Sequence, residues 1–285
     1  MPKTQNRNHK KHLLPIIGFL MISAACALLL ILPGETLAQQ DLDATCLECH
    51  EEIGQAFAAL PHAAGVSCTA CHGDAELHLE EGGGPNIFAF KEGDPANRKA
   101  DLCLTCHVKS NPRYMASPHA KAALDCTACH AVHARTGNPA QLKLAEPKNC
   151  TICHEDITAQ FQLNERHRLQ EGILTCTSCH DPHEPSARGR LAGFKHESCL
   201  ICHTDKGGPF LYEHEASRIE GCSSCHEVHG SPNRRLLTHQ SIADLCFSCH
   251  GMAPSWHARF DSYSTKCTTC HVTIHGSNLS RIYIK

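Results

Sequence analysis

The pattern Cys-x-x-Cys-His occurs ten times between residues 46 and 271 and uses twenty of the 21 cysteines. The remaining cysteine, Cys26, lies in an apolar N-terminal run. A repeat of this density predicts an array of similar units, most of them about 23 residues long. Nine Phe, four Tyr and one Trp in 285 residues are too few for an ordinary core, so something other than side chains must fill the interior.

The spacing of the motif fits one cofactor. Two thiols three positions apart can form thioethers with the two vinyl groups of one haem, and the adjacent histidine can bind the iron on its proximal side. Zinc knuckles, thioredoxin-like sites and disulfide frameworks do not demand a histidine after every second cysteine. The sequence therefore predicts ten covalently bound c-type haems. The predicted thioether residues are Cys46, Cys49, Cys68, Cys71, Cys103, Cys106, Cys126, Cys129, Cys150, Cys153, Cys176, Cys179, Cys199, Cys202, Cys222, Cys225, Cys246, Cys249, Cys267 and Cys270. The predicted proximal ligands are His50, His72, His107, His130, His154, His180, His203, His226, His250 and His271.

A second set of histidines recurs at regular positions relative to the motifs. After each odd-numbered motif a histidine precedes the next motif, and after each even-numbered motif a histidine follows within six residues. We expect this set to supply the distal iron ligands: His62, His78, His119, His133, His167, His183, His214, His229, His257 and His275. His196 and His239 are surplus, and the pairing of each distal histidine with a haem stays open. Few methionines are available as competitors, so uniformly low-potential, bis-histidine haems are expected.

The alternation predicts five two-haem modules, at about residues 46–102, 103–149, 150–198, 199–245 and 246–285. The predicted fold class is a multihaem c-type cytochrome, elongated and mostly irregular, with short α-helices, little or no β-structure and a haem-packed core. Helices are expected over residues 51–60 and 154–163, where apolar residues recur at helical spacing. A saturated iron has no position for a substrate, so an electron carrier is predicted rather than an enzyme.

The first 38 residues read as an export signal, with a basic start, an apolar run over residues 13–32 and Thr36-Leu37-Ala38 as the cleavage site. The decahaem domain then spans residues 39–285. An uncleaved anchor is the alternative, because a run of 20 apolar residues can span a bilayer. The formal net charge of −3 gives no basic footprint for nucleic acid.

The chain resembles the periplasmic decahaem cytochromes of the MtrA/DmsE type over most of residues 46–280. The most specific stretches are GPFLYEH at 208–214, CHEVHGS at 225–231 and HGSN at 275–278. The resemblance implies ten bis-histidine haems forming a wire inside an outer-membrane β-barrel porin, in extracellular respiration or iron oxidation. The ten distal candidates match that family's ligands, whereas His196 and His239 have no counterpart. Departures lie before Cys46, between His250 and Cys267, and after Asn278.

The leading functional expectation is therefore a haem wire, exported to the periplasm and associated with the outer membrane. Its expected partners are the porin, periplasmic or inner-membrane cytochromes, and an extracellular multihaem cytochrome or terminal reductase, with no nucleic acid. A free periplasmic electron shuttle and an inner-membrane-anchored, quinol-oxidising cytochrome are the alternatives. A multihaem reductase would need one iron that lacks a second histidine.

Overall fold

The structure is a computed structural model that describes residues 35–184, 197–251, 257 and 266–284. They belong to two compact units, one ending at Phe88 and the other beginning at Ala89. We call these the N-terminal unit and the C-terminal unit. Residues 1–34 of the predicted export signal, with Cys26, and the surplus residue His196 lie outside the described residues.

The N-terminal unit is built from short helices. They are α1 (Glu35–Cys49), α2 (Glu51–Phe57), α3 (Cys68–His72) and α4 (Glu76–Glu80), with a 3₁₀ turn at Pro61–Ala64. Helix α2 confirms the predicted helix after the first motif, but it ends at Phe57 rather than at residue 60. Pro61 explains the difference, because the residue before a proline is driven out of the helical region, and Leu60 is extended at φ −98° and ψ 154°.

The C-terminal unit has the same character. Its helices are α5 (Ala96–His107), α6 (Pro118–Lys121), α7 (Cys126–Cys129), α8 (Lys148–Thr151), α9 (Glu155–Gln160), α10 (Glu197–Leu200) and α11 (Ile242–Phe247). Further 3₁₀ turns include Cys176–Ser178, Cys222–Ser224 and Cys267–Thr269. Helix α9 confirms the predicted helix after the fifth motif, although it starts one residue later and stops three residues earlier than expected.

Strands are reduced to pairs of residues. β1 (Glu165–Arg166) pairs antiparallel with β3 (Gly230–Ser231), and β2 (Tyr212–Glu213) pairs antiparallel with β4 (Gly276–Ser277). Each pair joins segments more than sixty residues apart in sequence. The prediction of little β-structure is confirmed, and these few residues set the register of long-range contacts.

Few side chains are buried among the described residues. The buried apolar set is Leu60, Ala75, Ala100, Tyr114, Phe161, Leu169 and Ala243. Large apolar side chains such as Ile173 and Ile201 are instead more than 70 % exposed. Protein side chains thus form only a small interior, as expected for a chain whose core is made of cofactors.

Candidate haem sites

Each motif starts on a single helical turn. The backbone N–H of the motif histidine donates to the carbonyl of the first cysteine, for example at 3.0 Å from His130 to Cys126 and at 2.9 Å from His226 to Cys222. Side-chain caps start several of these turns: Ser67 accepts from the N–H of Ala70, and Asp125 from that of Thr127. One turn therefore presents both thiols and the imidazole of a motif together, which is what attachment of one haem requires.

Motif histidines in the described part of the chain face a second histidine ring. The pairs are His50–His78, His154–His119, His130–His183, His203–His167, His180–His229, His250–His214, His226–His275 and His271–His257. In every pair a predicted proximal ligand meets a predicted distal ligand.

The geometry of these pairs fits axial ligation of an iron. The ring centroids lie 6.0 to 6.4 Å apart while the angle between the ring planes varies from 10° to 65°. Two metal–imidazole bonds of about 2 Å each, plus the two half-rings, give a separation of this size. Rotation about a shared ligand–metal–ligand axis leaves that separation unchanged, whereas rings in direct contact would change their spacing with their angle.

Hydrogen bonds at the other ring nitrogen orient the imidazoles. Nδ1 of His130 lies 2.7 Å from the carbonyl oxygen of Ala140, and Nδ1 of His271 lies 2.6 Å from that of Ile282. The distal ligands His119 and His167 reach the carbonyls of Pro182 and Val228 at 3.0 and 2.7 Å. A carbonyl can only accept, so Nδ1 carries the proton and Nε2 is left free to bind the metal.

Burial favours the same protonation state. It is the first cause that lowers the pKa of His183, His214, His229 and His275 below the usual range. The ligating form of imidazole is neutral, so burial prepares these distal candidates for an iron.

The same loop conformation recurs after the fourth and the eighth motifs. After the fourth motif, the N–H of Ala131 donates to the carbonyl of Gln141, and the N–H of Lys143 donates to the carbonyl of Cys129. These two hydrogen bonds close the loop between residues 131 and 141. At the end of this loop, Ala140 and Gln141 adopt left-handed backbone with φ of 52° and 56°. Such conformations are costly for residues other than glycine, and here they aim the Ala140 carbonyl at His130.

The loop after the eighth motif repeats this conformation. Arg235 and Leu236 are left-handed, with φ of 60° and 58°, and the Arg235 carbonyl accepts at 2.8 Å from Nδ1 of His226. Sequence reasoning missed these residues. The only available signal was the Asn-Pro-Ala-Gln-Leu stretch at 138–142, which matches Asn-Arg-Arg-Leu-Leu at 233–237 only at its first and last residues.

Most of the distal candidates pair with a motif histidine two motifs away in sequence. His119, His167 and His214 each follow an odd-numbered motif and pair with the next odd-numbered one, at His154, His203 and His250. His183, His229 and His275 each follow an even-numbered motif and pair with the previous even-numbered one. At the chain ends the partner is one motif away, in the pairs His50–His78 and His271–His257.

The strand pairs hold distal segments together. β1 lies directly before His167 and β3 directly after His229, so their pairing brings two distal segments together. The bond from His167 Nδ1 to the Val228 carbonyl extends this contact. β2 and β4 bring together the segments of His214 and His275 in the same way.

The other predicted site residues occupy equivalent local positions. His62 lies in the 3₁₀ turn Pro61–Ala64, His107 ends α5, and His133 lies in the turn after the fourth motif. Nδ1 of His72 lies 2.6 Å from the carbonyl oxygen of Phe88. Nδ1 of the surplus residue His239 lies 2.9 Å from the hydroxyl oxygen of Thr238.

Comparisons with known proteins identify families that carry the same kind of motif. The family model "Doubled CXXCH motif" matches residues 167–208 and 214–254, "Cytochrome c-type protein NrfB-like" matches 68–145, and "Cytochrome c554 and c-prime" matches 33–73. The chain is a multihaem c-type cytochrome.

Individual relatives extend the similarity. The cytochrome is 28 % identical to the multiheme cytochrome MtrA of Shewanella baltica over 262 residues, which are 82 % of this chain and 78 % of that protein. It is 28 % identical to the C-type polyheme cytochrome OmcB of Geobacter sulfurreducens over 48 % of this chain but only 22 % of OmcB. It is 27 % identical to the cytochrome c-type protein NrfB of Escherichia coli over 43 % of this chain and 70 % of that protein. Among the described residues, none of the cytochrome's helices has the length and apolar character needed to cross a bilayer.

Proposed function

We propose that this cytochrome carries electrons along a row of ten bis-histidine haems. Each bound haem supplies one-electron exchange between ferric and ferrous iron. The proposed ligands are the ten motif histidines with the ten distal candidates, and eight of these pairs have the spacing of axial ligands. With both axial positions filled, no iron offers a place to a substrate, which supports a carrier rather than an enzyme.

The continuity of the motif sites is the observation that carries this proposal. Within two-haem modules, the Cys126 thiol raises the pKa of Cys103, and the Cys199 thiol raises that of Cys222. Consecutive modules also adjoin. Burial is the largest cause that raises the pKa of Cys129, and Cys153 of the next motif is the second largest.

The same proximity continues towards the C-terminus. Burial and then Cys199 raise the pKa of Cys179, which links the sixth motif to the seventh. The pKa of Cys246 is raised to about 12 by burial, by Cys267 of the tenth motif and by Cys225 of the eighth. Together with the interaction between Cys150 and Cys176, each motif from the third to the ninth adjoins the next one in sequence. Thioethers at these sulfurs would bring the edges of successive porphyrins close together.

We further propose that the cytochrome is exported, lies in the periplasm and carries electrons through an outer-membrane β-barrel porin. The similarity to MtrA over most of both chains supports this role. Periplasmic or inner-membrane cytochromes on one side, and an extracellular multihaem cytochrome or terminal reductase on the other, would be its redox partners.

The test is to solubilise the envelope of the native host and to identify what co-purifies with the haem-stained band. Recovery with an outer-membrane β-barrel supports the conduit. Recovery alone from the soluble periplasm, with Gln39 as the N-terminal residue, refutes it and indicates a free shuttle. Recovery from the inner membrane with Met1 retained indicates the anchored quinol-oxidising cytochrome.

A further inference from the structure

A carboxylate lies at the junction between the fifth and sixth motifs. An oxygen of Glu146 and the sulfurs of Cys150 and Cys176 all lie within 4.8 Å of one another. No other such group of three histidine, cysteine or acidic side chains occurs among the described residues. Both sulfurs are predicted to be consumed in thioethers, so this trio does not serve a separate metal ion. What remains is a negative charge between two haem attachment points.

Glu146 is held in place by the sixth motif. Its Oε2 accepts from the N–H of Thr177 at 3.1 Å, and its Oε1 accepts from the Thr177 hydroxyl at 2.9 Å. Both carboxylate oxygens therefore bond to the turn that carries Cys176, although Thr177 lies 31 residues after Glu146 in the sequence. In the described part of the chain, no ion pair joins Glu146 to a lysine or arginine.

The third and fourth motifs provide the contrast. Asp125 occupies a similar place there, because its carboxylate accepts from the N–H of Thr127 at 2.7 Å, directly after Cys126. Nζ of Lys99 lies 3.7 Å from Asp125, and both side chains are nearly buried, at 11 % and 12 % exposure. An ion pair with Lys99 compensates the charge at this junction, whereas none of the ion pairs in the described part of the chain involves Glu146.

We propose that Glu146 is a redox-tuning residue that lowers the reduction potentials of the two haems attached at the fifth and sixth motifs. Reduction of a ferric haem adds one electron, and a fixed negative charge next to the porphyrin edge opposes it. The carboxylate is half-buried and is held by two hydrogen bonds to the exposed Thr177, so its position beside the two attachment points is fixed, unlike that of a mobile surface charge. This inference rests on the proposed haem row and adds that the row is not uniform in potential.

The experiment is a spectroelectrochemical titration of the purified holoprotein, with Glu146→Gln compared with the unmodified chain. Glutamine keeps the length of the side chain and an acceptor for Thr177 but removes the charge. We expect about two tenths of the haem absorbance change to move to higher potential, with the low-spin spectrum unchanged and the other eight tenths in place. Superimposable titration curves would overturn the proposal.

Glu171→Gln is the matched control. Glu171 is exposed and lies 2.9 Å from Arg166 and 3.1 Å from Arg168, so the same change of charge occurs at a solvated surface. An equal shift in this variant would refute a specific role for Glu146.

Lys99→Gln tests the same physics with the opposite sign. The change removes the positive charge that compensates Asp125, so we expect lower reduction potentials for the two haems of the third and fourth motifs. Lys99→Gln combined with Asp125→Asn should restore the original curve, and failure of Lys99→Gln alone to shift the titration would also overturn the proposal. The titration needs no physiological partner, so loss of the conduit role would leave these shifts in place.

Discussion

Replacement of His119 tests the crossed ligand register most directly. In sequence, His119 lies between the third and fourth motifs, yet its ring lies 6.2 Å from that of His154 in the fifth. His119→Ala should therefore remove one axial ligand from the haem of the fifth motif and leave the haems nearest in sequence intact. One haem in ten should change from low spin to high spin.

The effect on stability follows from the two interactions that the His119 imidazole makes. The predicted His119–iron–His154 link joins segments 35 residues apart, and because this coordination bond is made in the folded chain, its free energy adds to the free energy of folding. The hydrogen bond from Nδ1 to the Pro182 carbonyl, 3.0 Å long, adds about 1 kcal/mol. The variant should therefore unfold at a clearly lower denaturant concentration, as well as changing spin state.

Electron paramagnetic resonance in three backgrounds identifies the affected haem. The high-spin signal of His119→Ala should persist when Cys103 and Cys106 of the third motif are replaced by alanine. It should disappear when Cys150 and Cys153 of the fifth motif are replaced, because the haem concerned is then absent. The opposite pattern would refute the crossed register. His239→Ala is the control, since it should produce no high-spin signal.

Two further predictions concern positions away from the iron. A Cβ at Gly230 would clash with the carbonyl oxygen of Gln160, so Gly230→Ala should displace β3 and lower the free energy of unfolding by about 1–3 kcal/mol; the neighbouring pair His180–His229 should also lose low-spin intensity. Gly65→Ala, with nothing within 4 Å of its new Cβ, should do neither, and equal effects in the two variants would contradict the steric reasoning. Tyr114 donates its hydroxyl to the Leu124 carbonyl at 2.8 Å, so Tyr114→Phe should cost about 1 kcal/mol in denaturant unfolding. Burial raises the pKa of Tyr114 to about 12, above the ordinary value of about 10, so the stability from the neutral phenol is present below pH 10 and is lost between pH 10 and 12. That loss should be absent in Tyr114→Phe, and an unchanged alkaline slope would assign it to another group.

Helix positions were predictable where the signal is local. The helix after the fifth motif could be located from Ile157 and Phe161, because helical periodicity is a property of neighbouring residues. Its end could not, because the chain leaves α9 through successive tight turns, including the bond from the Leu163 N–H to the Gln160 carbonyl, to reach β1 and its distant partner β3.

The distal ligands show the same division. Their regular spacing was sufficient to select His167 and His229 as members of a set, since repetition is visible in one dimension. Which motif histidine each of them faces depends on contacts between distant segments, such as the pairing of β1 with β3, whose partners are more than sixty residues apart. No local pattern encodes that pairing.

By itself, the sequence determined the cofactor type and predicted the attachment residues and the proximal ligands, because Cys-x-x-Cys-His acts within one helical turn. It also determined that side chains would form little of the core, because the chain contains few large aromatic residues. Only the tertiary structure decided which histidines pair across motifs and where Glu146 lies between two motifs. It also decided the left-handed backbone at Ala140 and Arg235, whose carbonyls orient Nδ1 of His130 and His226. These features depend on contacts between distant parts of the chain, and such contacts stabilise the protein only after the chain has folded.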